Sequence, residues 1–114
     1  MIIPNADRAV IDIRKLTHYA LDATHGRGQH KARVFASVFG ITAVNAPQLR
    51  HYLLEIVQTH DAQEGERGQH GQLYRIDSEL TWNDVTETVR STWIVRHDEA
   101  FPRLVSCFVR PKRG

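Results

Sequence analysis

The stretch Leu73-Tyr74-Arg75-Ile76-Asp77-Ser78-Glu79-Leu80 decides the fold. Tyr74, Ile76, Ser78 and Leu80 alternate with Leu73, Arg75, Asp77 and Glu79, a period of two that belongs to a β-strand with one face turned inward. Trp82-Asn83-Asp84 then supplies a turn, and the period repeats. Val85, Val89, Trp93 and Val95 fall on one face, and Thr86, Thr88, Arg90, Thr92, Ile94 and Arg96 on the other. A second turn over 97–102 leads into a third strand over 104–109.

Upstream the period becomes 3.6. Asp12 is placed to cap a helix over 13–21, whose buried stripe is Ile13, Leu16, Tyr19 and Ala20. Residues 22–28 hold Gly26 and Gly28 and predict a loop. A second helix over 29–39 carries Ala32, Phe35 and Phe39 at helical spacing, and Gly40 suits its end. Asn45, Pro47 and Gln48 read as cap, first turn and capping-box partner of a third helix, with Leu49, Leu53, Ile56 and Val57 as its stripe. Residues 60–70 offer little to bury and predict a mobile connector. The basic tail from Arg110 to Gly114 is expected to fray.

Neither layer can bury its apolar face alone. The expectation is therefore an α+β fold: three N-terminal helices packed on a C-terminal three-stranded antiparallel sheet. Its core gathers Leu16, Phe35, Leu53, Ile56, Val89, Trp93 and Val105. The face carrying Arg90, Thr92 and Arg96 is left for solvent, a partner or a substrate. A chain of 114 residues fits one domain, 1–114.

Composition narrows the function classes. No apolar run approaches the roughly 18–20 residues that span a bilayer, and the N-terminus lacks a signal-peptide pattern, so a cytoplasmic protein without membrane contact is expected. Cys107 is the single cysteine and lies in an apolar run, which predicts a buried thiol and rules out an internal disulfide. The net charge is only +2, but twelve of the fifteen cations are arginine, whose rigid fork suits phosphate and carboxylate. The pI near 9.0 favours an anionic partner.

Seven histidines raise the question of metal, yet none stand at the i, i+4 spacing of a zinc protease helix, and no metal or other cofactor is expected. Gly26-Arg27-Gly28 lacks the ending of a nucleotide-binding loop, and no serine sits in a glycine-flanked elbow. What stands out is the first helix–helix junction, where Lys15, His18, His25, Arg27, His30, Lys31 and Arg33 fall within nineteen residues. Imidazoles beside permanent cations are what metal-free chemistry on RNA phosphates needs: a base for the 2′-hydroxyl, a donor for the leaving oxygen and charge for the phosphoryl oxygens. The plain alternative is a solvated loop with surface histidines. Tyr74, Arg90 and Thr92 would complete the site if the sheet faces the junction, although Tyr74 and Trp93 both fall on apolar faces, as packing residues do.

With these residues laid out, the chain resembles an uncharacterised bacterial family of small domains of unknown function. The signature is Lys15-Leu16, Tyr19, Leu21, His25, Gly28, Lys31-Ala32, Phe35 and Gly40-Ile41, then Gly71-Gln72, Tyr74, Thr92-Trp93 and Pro102-Arg103-Leu104-Val105. Such domains also form the tails of bacterial polymorphic toxins, so the resemblance implies a toxin-like role. The order of helices before sheet is similar, as a fold-level analogy, to the barnase–EndoU–colicin–RelE group of metal-independent ribonucleases. Where such domains often carry His-Pro before the glycine, this chain has His25-Gly26-Arg27-Gly28, which implies a looser loop.

Two functions are carried forward. The first is a toxin-like, metal-independent endoribonuclease with His25 as base or acid, Lys15 and Lys31 at the phosphate, Tyr74 and Thr92 in support, and Arg27, His30, Arg90 and Arg96 binding RNA. The second is a non-catalytic interaction module of a toxin–antitoxin or mobile-element locus, whose Arg-bearing sheet face binds a cognate antitoxin or another small protein.

Overall fold

The computed structural model describes residues 1–111; the expected fraying of Lys112–Gly114 falls outside the described residues. The chain runs through a π-helix (Leu16–Ala20), helix α1 (Gln29–Phe39), helix α2 (Ala46–Thr59) and strands β1 (Gln63–Arg67), β2 (Gly71–Trp82), β3 (Val85–Arg96) and β4 (Pro102–Arg110). Short 3-10 turns stand at Ala6–Arg8 and Ala43–Asn45. The strands form a four-stranded antiparallel meander in the order β1-β2-β3-β4. The α+β class holds, with one strand more than expected.

The extra strand is β1, in the segment read as a mobile connector. All five of its residues are exposed, so no apolar alternation marks it. Backbone pairing with β2 forms it, helped by side chains: Arg75 donates to the Gln63 amide oxygen and Gln72 to the Gly65 carbonyl.

The period-two reading of β2 and β3 places the core correctly. Tyr74 pairs with Trp93, Ile76 with Ser91 and Ser78 with Val89, all on the buried face. Asn83 and Asp84 adopt φ of 51° and 62°, the left-handed pair that a two-residue hairpin requires. Asn83 also donates to the Phe39 carbonyl at 2.8 Å, tying the hairpin to the end of α1. Gly40 ends that helix at φ 73°, with Ile41 N–H returning to the Phe35 carbonyl. The two buried serines are satisfied: Ser78 shares a 2.6 Å hydrogen bond with the Tyr52 hydroxyl of α2, and Ser91 accepts from the Trp93 indole.

Three local expectations differ. Asn45 makes no side-chain cap on α2; its carboxamide oxygen instead accepts from Thr42 N–H, closing the turn before the helix. The first helix widens to a π-helix, closed by Leu21 N–H on the Leu16 carbonyl. Val105 is half-buried, unlike Leu16, Phe35, Leu53, Ile56, Val89 and Trp93, which are buried as expected. The cause is a bulge: Trp93 faces Leu104 and Thr92 faces Ser106, so Val105 is the residue left over.

One close approach locks the π-helix to α1. A Cβ at Gly28 would overlap the Tyr19 carbonyl oxygen, whereas one at Gly26 would meet nothing within 4 Å. Gly28→Ala should therefore lower stability by about 1–3 kcal/mol, as overpacking does, while Gly26→Ala stays within about 0.5 kcal/mol. Equal urea midpoints for the two variants would remove this contact as a constraint. Phe35 and Leu53 are fully buried, so truncating either to Ala should cost about 2–5 kcal/mol in the same measurement.

Candidate functional site

Between the π-helix, the loop after it and the β4 bulge lies an open groove of about 980 Å³. Asp12 starts one wall: its carboxylate accepts Arg14 N–H at 3.0 Å and pairs with the Arg14 guanidinium at 2.7 Å. That contact holds the Asp12 carboxyl at about 2, so Arg14's charge is answered locally. Lys15, His18 and Tyr19 follow on the same helix face, with spacings of three and four, and all three line the groove. His25, Gly26 and Arg27 form the opposite wall, and Val105 and Ser106 the floor.

The His25 loop is tight. Asp22 accepts from both the N–H and the hydroxyl of Thr24, at 2.8 and 2.6 Å, which lowers its own pKa. His25 then closes the turn that leads into α1. Its Nδ1 accepts the N–H groups of Arg27 (3.0 Å) and Gly28 (2.9 Å), and its carbonyl accepts Gln29 N–H. Since a backbone N–H can only donate, the ring proton sits on Nε2. His25 is thus a hydrogen-bond donor toward the groove, and a lone pair for base work is missing in this tautomer. In the stretch His25-Gly26-Arg27-Gly28, where a looser loop was expected, two backbone N–H groups bond to the one imidazole.

Tyr19 links the two walls. Its ring meets the His25 imidazole edge-on at 5.0 Å, and its hydroxyl accepts from Lys31 Nζ at 2.8 Å. The Lys31 ammonium lies over the Tyr19 ring at 4.6 Å and 5.9 Å from the Phe108 ring. Tyr19, read from sequence as a core residue, therefore presents a phenol backed by a cation. Nothing in the helical period distinguishes it from Leu16. The one clue was that it sits four residues after Lys15 and six before His25.

The remaining expected site residues lie away from the groove. Tyr74, buried but for its edge, lines with Arg90 and Thr92 a separate hollow beside Phe108. Arg90 forks onto Asp77 at 2.7 and 2.9 Å, which lowers the Asp77 pKa and occupies the guanidinium. His30 is exposed on α1, outside the groove lining. Arg96 lines a smaller hollow that shares Lys15 and Val105 with the groove. The junction thus keeps Lys15, His25 and Arg27, with Lys31 behind Tyr19, and Tyr74, Arg90, Thr92 and Arg96 are not among its lining residues.

Cys107 is fully buried, and burial pushes its thiol up to about 12, far from a nucleophile's range. Among the described residues no group of three His, Cys, Asp or Glu side chains converges to hold a metal ion, and no helix is long and apolar enough to cross a membrane.

No curated protein matches the chain. Among solved structures, it is similar to a chain of a contact-dependent growth inhibition toxin–immunity protein complex from Klebsiella pneumoniae 342. The TM-score is 0.65 at 14% sequence identity, covering 89% of this chain and 99% of that one, so the fold is shared. The family model for the domain of unknown function DUF6883 matches residues 2–111, nearly the whole length, and the chain belongs to that family.

Proposed function

We propose that the chain is a toxin-like endoribonuclease that cleaves RNA by 2′-hydroxyl attack without a metal ion. The observation that carries this reading is the Lys31–Tyr19 hydrogen bond at 2.8 Å, behind a groove that Tyr19 lines together with two imidazoles and the cations of Lys15 and Arg27. Neither Lys15 nor Arg27 is salt-bridged to a carboxylate among the described residues, so both charges are available to phosphate. The shared fold with a chain of a toxin–immunity complex supports a toxin context.

The roles in this proposal differ from those expected of the sequence. Thr17 donates its hydroxyl to the Ile13 carbonyl and lies 2.8 Å from His18 Nδ1. With that arrangement His18 carries its proton on Nδ1, and the Nε2 lone pair takes the proton of the 2′-hydroxyl. The 2′-oxygen bonds to phosphorus while Lys15, Arg27 and the Nε2–H of His25 stabilise the phosphoryl oxygens. Tyr19 gives its proton to the departing 5′-oxygen, and the P–O5′ bond breaks. Lys31 is a positioning residue: its ammonium stabilises the phenolate that Tyr19 becomes, and it acts through Tyr19 rather than on phosphate.

The second reading, a non-catalytic module that binds a small protein such as an antitoxin, draws on the same fold likeness. The outer sheet face it relied on is weakened, because Arg90 is already forked onto Asp77.

Induced expression and cleavage assays separate the two. Tyr19→Phe removes one oxygen from a half-buried ring, so the fold should persist while cleavage falls about a hundredfold or more. Lys31→Ala should lose a similar factor alone and little more in the Tyr19→Phe background, with partial rescue by Lys31→Arg. Products should end in a 2′,3′-cyclic phosphate with or without a chelator, and a 2′-deoxy residue at the cut should block the reaction. Growth inhibition that survives Tyr19→Phe would favour the interaction module, and metal-dependent cleavage would overturn the mechanism.

A further inference from the structure

The groove does not end at Lys15. Beyond it lies a second hollow of about 550 Å³, which shares Lys15 and Val105 with the first. Arg96 and Ile94 bring the end of β3 to it, His97 and Asp98 the following turn, and His70 the turn between β1 and β2. Two strand ends and a bulge thus meet at the rim of the proposed active groove.

Its walls are pinned in place. His97 Nε2 lies 2.9 Å from the Gly68 carbonyl, His97 N–H reaches the His70 carbonyl, and Gly68 N–H closes the turn on the Gly71 carbonyl. A Cβ at Gly71 would overlap the Val95 carbonyl, so the turn is seated directly on the end of β3. The charge is equally settled. Arg96 is half-exposed, and its only carboxylate neighbour within ion-pair distance among the described residues is Glu99, at 4.0 Å. Glu99 is itself held by the Arg103 fork at 2.8 and 2.7 Å, which answers its charge and leaves Arg96 in excess. Against Lys15 and Arg96 the hollow sets one carboxylate, Asp98, which lies in the field of Arg103. Ile94 and Val105, both half-buried, give the same hollow an apolar floor.

Two cations over an apolar floor match a nucleotide: a phosphate to hold and a base or ribose to rest on carbon. We infer that this hollow binds the nucleotide next to the cleaved linkage of a single-stranded RNA, with its phosphate between Lys15 and Arg96. This inference rests on the ribonuclease reading for its substrate, and Lys15 joins the two sites.

The test uses binding rather than cleavage, with an all-2′-O-methyl hexauridylate that cannot undergo 2′-hydroxyl attack. Arg96→Gln should weaken its binding about fivefold at moderate salt and lower the slope of log K against log salt by about 0.7, the value of one lost phosphate contact on a single strand. Arg50→Gln, an exposed cation on α2, should change neither quantity. Arg27→Gln should weaken binding independently, so that the double variant Arg27→Gln/Arg96→Gln shows the product of the two losses. Affinity and salt slope unchanged in Arg96→Gln, or a hexamer that does not bind the wild-type chain, overturns the inference. Cleavage of unmodified RNA with no Arg96 effect removes the hollow and keeps the ribonuclease. An Arg96 effect on binding without any cleavage keeps the hollow as a strand site and removes the ribonuclease.

Discussion

The candidate site exists because Gly28 has no side chain. Its Cα backs directly onto the Tyr19 carbonyl, bringing the loop of His25 against the π-helix that carries Lys15, His18 and Tyr19. Any larger residue would push the two walls apart. The turn closed by His25 depends on that seating, because one of the two N–H groups its Nδ1 accepts belongs to Gly28. So does the Lys31–Tyr19 bond, since Lys31 sits on the first turn of the helix that begins one residue after Gly28. A single backbone-to-backbone contact, made once along the chain, therefore sets the phenol, the imidazole and the ammonium relative to one another.

What the sequence revealed follows from which forces are periodic. Helix α1 and strands β2 and β3 bury one face each, so Phe35, Trp93 and their neighbours announce themselves by spacing. Strand β1 buries nothing and is held by backbone pairing and a few polar side-chain bonds, which leave no apolar alternation in the sequence. The residues of the π-helix keep the three-and-four apolar spacing of an α-helix, so the spacing does not show the widened turn. Tyr19 kept its place on the apolar stripe as a partly buried ring packed on the core, and what spacing could not show is its hydroxyl's bond to Lys31. Tyr74 is likewise a polar-tipped ring that stayed where alternation placed it, in the core. The junction cluster was visible as composition, but the hydrogen-bond state of His25 was not, because it depends on two backbone N–H vectors.

The distribution of paired charge explains how a net charge of +2 coexists with a basic groove. Arg14, Arg90 and Arg103 each fork onto a nearby carboxylate, Asp12, Asp77 and Glu99. Such bidentate pairs fix side chains and cancel fields at short range, and exposed ones contribute little to stability. Their effect here is subtractive: three arginines are withdrawn from any role toward an anion. The cations left without such a pair include Lys15, Arg27 and Arg96, and all three line the groove or the hollow that continues it. A bulk charge count averages over both populations and so understates the surface.

Two histidines a short distance apart along the chain end up chemically distinct through their hydrogen bonds. Backbone donors fill Nδ1 of His25 and leave it an N–H to offer, whereas a threonine hydroxyl beside Nδ1 of His18 permits the opposite tautomer and a free lone pair. A metal-free phosphodiester cleavage needs both properties at once, one group to take a proton and others to hold developing charge. It also needs a proton for the leaving oxygen, which a phenol can supply only if something stabilises the phenolate that results. An ammonium 2.8 Å from that oxygen does so without contacting the substrate. The division of labour in the proposed reaction thus comes from what each group is bonded to, and the residue types alone would have assigned it differently.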